Sequence, residues 1–183
     1  MARGERSAAF AALLERVLAE RLSMTWILGL PRGGTTAVER FVFDSLTFDG
    51  NVNEPSLCAA PLRGGEGAEE RSLESWEHCQ AHEAATFEQV LAEVQRLEEA
   101  AAAKGRDLAV QPLRLVAKEV SNKVLPWMVP LWKELADVVL VVVRNPLLQL
   151  ESRLKSILDR IDSGALAPWG LEVEANAVAL QVH

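Results

Sequence analysis

The sequence predicts an α/β domain in which a parallel sheet carries helices on both faces. Three observations lead there. Short apolar runs alternate with stretches of helical periodicity, a glycine-rich turn joins the first of those runs to a helix, and a later run stops abruptly at Arg144-Asn145-Pro146. A strand covered on both faces reads as a continuous apolar run, and strands separated by helices pair in parallel. The 183 residues, 49% hydrophobic and 25% charged, suit a single domain over 1–183.

The elements follow in order. Residues 1–22 form an amphipathic helix, because Phe10, Leu13, Leu14, Val17 and Leu18 recur at helical spacing among charged residues. Those charges are foreign to a secretory leader. Residues 25–30 are a buried strand ended by Pro31 and Gly33-Gly34, and residues 35–46 a helix with Val38, Phe41, Val42 and Leu46 on one side. Prolines and glycines make 48–71 a long irregular segment of the kind that borders sites. Residues 72–104, free of Pro and Gly and rich in Ala, Glu and Leu, read as one long helix or two closely joined ones, stopped by Gly105.

Residues 113–120 are the next strand, and 124–135 a helix entered through Pro126 and carrying Trp127, Leu131 and Leu135. Residues 138–143, six apolar residues in succession, are too apolar for an exposed edge strand. Asn145 caps the last helix with Pro146 in its first position, and Leu147, Leu150, Leu154, Ile157 and Ile161 form its stripe. In such a sheet ligands bind beyond the carboxyl ends of the strands.

Composition excludes several classes of function. A net charge of -7 and a pI near 5.1 argue against a nucleic-acid or membrane-surface binder, which needs a broad basic face. Any anion site is therefore locally basic. Nowhere does the sequence hold the roughly 18 uncharged apolar residues of a membrane span, and its two cysteines, Cys58 and Cys79, make no disulfide framework. A soluble, cytoplasmic protein is expected. His78, Cys79 and His82 lack a paired Cys-x-x-Cys, so no metal is expected, and the five tryptophans serve as core or cleft walls.

Gly29-Leu30-Pro31-Arg32-Gly33-Gly34-Thr35-Thr36 matches GxxxxG between a strand and a helix, the setting of a phosphate-binding loop. The backbone N–H groups of Gly33, Gly34, Thr35 and Thr36 are placed to meet an anion, helped by the helix dipole. The implied architecture is three-layered and like that of the P-loop nucleoside triphosphatases. Thr35, however, stands where those enzymes carry lysine, and no Asp follows a strand in the manner that holds magnesium. Triphosphate chemistry of the kinase-like sort is the weaker alternative.

The loop resembles that of the sulfotransferases, which reads Pro-Lys/Arg-Ser-Gly-Thr-Thr after a buried strand; here it is Pro31-Arg32-Gly33-Gly34-Thr35-Thr36. A second match lies downstream, where Val141-Val142-Val143-Arg144-Asn145-Pro146 is followed by Ser152 at the family's spacing of Arg and Ser. Ala117-Lys118-Glu119 is similar to the family's lysine-bearing strand end, so the resemblance spans about residues 25–160.

The resemblance implies 3′-phosphoadenosine 5′-phosphosulfate as co-substrate, no metal, and a small-molecule, glycan or peptide acceptor with a hydroxyl or amine. It assigns Arg32, Gly33, Gly34, Thr35 and Thr36 to the 5′-phosphosulfate, and Arg144 and Ser152 to the 3′-phosphate. Arg32 is expected to stabilise the leaving phosphate by charge. Glu54, in Asn53-Glu54-Pro55, is the expected base, its alternative being a solvated loop carboxylate. Lys118 either helps bind the sulfuryl group or is an exposed lysine at a strand end. Ala37 replaces the aromatic residue that often follows the family's loop, and 164–183 holds no Arg-Lys-Gly segment, so a chain shortened at its C-terminal side is expected. A catalytically silent nucleotide-binding module is the second reading.

Overall fold

The computed structural model describes residues 6–58, 76–120, 124 and 126–163. Its elements run α1 (Ala8–Leu18), β1 (Leu22–Gly29), α2 (Thr35–Ser45), β2 (Gly50–Asn53), α3 (Pro55–Cys58), α4 (Trp76–Ala103), β3 (Leu113–Val120), α5 (Met128–Leu135), β4 (Val138–Val142) and α6 (Pro146–Asp162). The four strands are all parallel, in the order β2-β3-β1-β4. Helices cover both faces, as the sequence predicts.

Alternation along the strands divides the core in two. Leu22, Met24 and Trp26 of β1 and Leu113, Leu115 and Ala117 of β3 pack with α1, α4 and α5, while Ile27 and Val116 pack with Val42 of α2 on the other face. The larger core is anchored by aromatic rings, with Trp26 stacked on Trp132 at 5.5 Å and Phe10 edge-on to Phe87 at 5.2 Å. Ser7 caps α1 by accepting from the Phe10 amide, and Arg16 binds both carboxylate oxygens of Glu98, tying α1 to α4. Gly105, at φ 68°, closes α4, its amide donating to Ala102 O at 2.9 Å.

Several expectations need correction. The N-terminal helix ends at Leu18 and not at 22, because β1 begins at Leu22 and takes those residues into register with Leu113. The irregular segment contains a strand: β2 pairs with β3 from Gly50 to Asn53, since the edge of the sheet supplies hydrogen bonds that its turn-like composition does not advertise. Within α2 Val42 is buried but Phe41 is exposed, and Leu46, exposed too, lies just past the helix end. The apolar β4 lies at the edge of the described sheet, with Val138, Val139 and Val141 exposed.

In α6 the cap holds, Asn145 Oδ1 accepting from the Leu147 amide at 2.9 Å, but the stripe does not. Ile157 is buried, whereas Leu147 and Leu154 are exposed, and the Ile161 side chain lies outside the described residues. So do the side chains of Cys58, Trp76 and His78 and the whole of 59–75 and 164–183. No described helix is long and apolar enough to cross a membrane.

Candidate functional site

The loop after β1 leads into α2 on one face of the sheet, whereas α5, which follows β3, packs on the other. The two neighbouring strands thus send their connections apart, and the position between those connections at the carboxyl ends, called the crevice below, is the place where open α/β sheets bind ligands.

The glycine loop is shaped by close contacts. A Cβ on Gly29 would lie 2.6 Å from Thr35 Cγ2 and 2.9 Å from Val142 O, so only glycine lets β1 pass so near the helix start. The turn closes with Gly33 N donating to Leu30 O at 2.8 Å, and both Arg32 and Gly34 take positive φ, 63° and 93°. No side chain caps α2. The Gly33 amide, expected at the anion, is thus taken by Leu30 O and that of Ala37 by Gly34 O. Gly34, Thr35 and Thr36 are the loop residues whose amides are left to an outside acceptor, the arrangement on which anion sites at helix starts depend.

Lys118 stands at the centre of the crevice. It is 1% exposed, and its Nζ donates to Glu54 Oε1 at 2.6 Å and to Thr36 Oγ1 at 3.1 Å. A lysine so deeply buried is retained with its partners in reach, and here those partners are the first turn of α2 and the loop after β2. Register explains the meeting: Asn53 sits beside Lys118 across the β2–β3 ladder, and the Glu54 amide donates to Lys118 O at 2.7 Å. Lys118 is thus no exposed strand-end lysine, and Glu54 is no free loop carboxylate.

Two further carboxyl groups belong to this neighbourhood, and neither was singled out in the sequence. Glu39 of α2, 3% exposed, accepts from Asn51 Nδ2 at 3.3 Å. Burial raises its pKa, the nearby Lys118 charge and the Asn51 bond opposing the rise. Glu119, fully buried, accepts at Oε1 from the Ser56 amide at 2.9 Å and from Ser56 Oγ at 2.5 Å. Burial pushes it up to about 7, against the two Ser56 bonds. The one signal in the sequence for Glu119 is a second charge beside Lys118 between the apolar Ala117 and Val120 of β3.

The arginines sit on the rim. Arg32 is exposed and its guanidinium donates to Ser156 Oγ of α6, while Arg144 Nη1 donates to Arg32 O at 3.1 Å. Gln149 Nε2, donating to Pro31 O at 2.7 Å, adds a second tie between α6 and the loop. Ser152 is half-exposed on α6. The structure therefore brings Thr36, Glu54 and Lys118 together in the crevice and links Arg32 with Arg144, while Ser152 has no bond to either group. Cys79 and His82 are buried on α4, and the described residues hold no cluster of His, Cys, Asp and Glu able to bind a metal ion.

Comparison with protein-family models, curated proteins and solved structures returned no significant match. The class that fold and site define is therefore a parallel α/β domain with a glycine loop and a buried lysine paired with a half-buried glutamate at the carboxyl ends of its strands.

Proposed function

We propose that the protein transfers a sulfuryl group from 3′-phosphoadenosine 5′-phosphosulfate to a hydroxyl or amine acceptor. The observation that carries this reading is Lys118, a buried cation that bridges Thr36 of the glycine-loop helix and Glu54. It joins an anion cradle to a carboxylate within one hydrogen-bond network.

In the reaction the acceptor oxygen or nitrogen forms a bond to sulfur as the bond from sulfur to the bridging phosphate oxygen breaks. Glu54 takes the acceptor proton, and 3′,5′-adenosine diphosphate leaves with the electron pair. The loop amides and Lys118 meet the charge that grows on the leaving phosphate, preorganised before the reaction begins. Arg32 adds a second positive charge on releasing Ser156, and Arg144 and Ser152 take the 3′-phosphate. No metal step is required of these residues.

A second reading, a silent binding module for the same nucleotide, draws on the rim: Arg32 is engaged with Ser156 and Arg144 with the Arg32 carbonyl. A thermal-shift titration tests the shared premise. 3′,5′-Adenosine diphosphate should raise the melting temperature well above the shift given by 5′-AMP, because binding stabilises in proportion to affinity. Equal shifts remove the 3′-phosphate assignment, and a larger shift with ATP and Mg²⁺ turns the reading toward phosphoryl transfer. Radiolabelled donor then separates enzyme from module.

A further inference from the structure

Lys118 and Glu119 are consecutive in β3, so their side chains leave opposite faces of the sheet. Each grips the same short segment. Lys118 binds Glu54 twice, through its carbonyl oxygen at 2.7 Å and its Nζ at 2.6 Å. Glu119 binds Ser56 twice, receiving its amide at 2.9 Å and its hydroxyl at 2.5 Å. Between them lies Pro55 alone. Glu54 adopts φ 51°, a left-handed conformation that a residue with a Cβ keeps only where its surroundings hold it.

We propose that Glu119 is a positioning residue that, by accepting both donors of Ser56, locks residues 54–56 in the left-handed turn that presents Glu54 to Lys118. The inference rests on reading Glu54 and Lys118 as the sulfuryl-transfer pair.

The choice of a carboxyl group at a fully buried position supports it. A leucine there would fill the core, but it would leave the Ser56 amide and hydroxyl without an acceptor. Glu119 Oε2 has no hydrogen-bond partner, so a proton on that oxygen leaves Oε1 free for both donors. Burial favours that neutral form, as does the negative charge of Glu54, while the Ser56 bonds and the Lys118 charge oppose it. Glutamine reproduces it: the amide oxygen stands for Oε1 and the amide nitrogen for the protonated Oε2.

Four full-length proteins test the lock: wild type, Glu119→Gln, Glu119→Leu and Ser56→Ala. Amide hydrogen exchange at Ser56 reads the segment directly. Single-turnover transfer from radiolabelled donor to phenol, whose hydroxyl keeps its proton at neutral pH, reads the placement of Glu54, and titration with 3′,5′-adenosine diphosphate reads the rest of the site.

In Glu119→Leu the Ser56 amide should exchange at least about tenfold faster while the β1 and β3 amides hold their rates. Turnover should fall by about 10²-fold, the usual effect of a misplaced catalytic group. The nucleotide Kd should stay within about twofold, and Glu119→Gln should recover most of both losses. A general loosening of the core would instead move the strand amides and the nucleotide affinity together, which overturns the proposal. So does a Gln variant as impaired as the Leu variant.

Should Glu119→Leu fail to fold, Ser56→Ala removes only the hydroxyl bond, and an unchanged Ser56 exchange rate in it counts against the lock. If the wild type transfers no sulfate while the exchange pattern holds, the lock stands and the transfer reading falls.

Discussion

The carboxyl end of the sheet is built in two ways. Where β2, β3 and α2 meet, three buried ionisable side chains each hold a partner: Lys118 with Thr36 and Glu54, Glu119 with Ser56, Glu39 with Asn51. At the β4 margin Arg32, Arg144 and Asn145 are exposed, and Val141, Val143 and Leu147 stand at 66%, 86% and 75% exposure around them. Buried polar groups hold on to their partners, because each missing one leaves a desolvated group uncompensated, as at Glu119 Oε2. An exposed arginine has no such requirement, since water satisfies it. The proposed chemistry is therefore prebuilt in the crevice, and proposed recognition of the 3′-phosphate is left to side chains whose partner arrives from outside.

Removing the crevice cation is the strongest way to break this contrast. Lys118→Met should lower single-turnover transfer by about 10²–10³-fold, the cost of one preorganised donor. It should also destabilise the fold, by less than the roughly 3–5 kcal/mol of a fully buried pair, because Glu54 keeps 24% side-chain exposure. Urea denaturation reads the second effect.

Arg144→Ala probes the margin and should behave oppositely. The unliganded melting temperature should hold, as for most surface changes. The affinity for 3′,5′-adenosine diphosphate should weaken by about 1.5–3 kcal/mol, the loss of a bond to a charged donor. A destabilised Arg144→Ala with unchanged affinity would collapse the distinction between the two regions.

The titration of Glu119 sharpens the contrast further. Its pKa is raised from an ordinary 4.5 to about 7 in the folded chain, so between those values the folded protein holds a proton that the unfolded chain has released. Stability from this group is fully present below about pH 4.5. It declines as pH rises through the window and is level above about 7. The urea midpoint of wild type relative to Glu119→Gln should fall from pH 5 to pH 8, and a flat difference would mean that Glu119 does not hold its proton. Asp49 acts with the opposite sign at the other end of β3. Burial raises its pKa, but bonds from Arg106 and the Arg114 amide outweigh that and lower it, so its contribution is lost as pH falls.

Ser152→Ala is the smallest expected effect. A neutral hydroxyl contributes about 1 kcal/mol, so nucleotide affinity should drop by about fivefold with no change in unliganded stability. A loss larger than that of Arg144→Ala would reverse their roles.

The difference between the two regions also marks what could be read from the residues beforehand. The β1 run, the glycine loop, β3 and the Asn145-Pro146 cap were legible because each is a local pattern. Lys118 was legible as a strand end, but not its burial, which follows from α2 and β2 closing over it. Gly50-Asn51-Val52-Asn53 reads as a turn and becomes a strand only because β3 offers it a ladder. Ser56 and Glu119 are 63 residues apart, and no periodicity links them. The exposure of β4 was misread because six apolar residues fix strand character, not position in the sheet order.

The stacked tryptophans carry an optical consequence. Trp26 and Trp132 are 1% and 0% exposed, lie 7° from parallel, and hold both indole N–H groups away from water and from any acceptor. Indoles so screened emit at the blue end of their range. Trp26 precedes Gly29 by three residues on the strand that enters the loop, and Trp132 belongs to the helix that follows β3. The pair is thus a native chromophore at the contact of β1 with α5, and the blue part of the emission, to which the three other tryptophans add, would report without any label whether β1 and α5 keep their packing when a nucleotide is added.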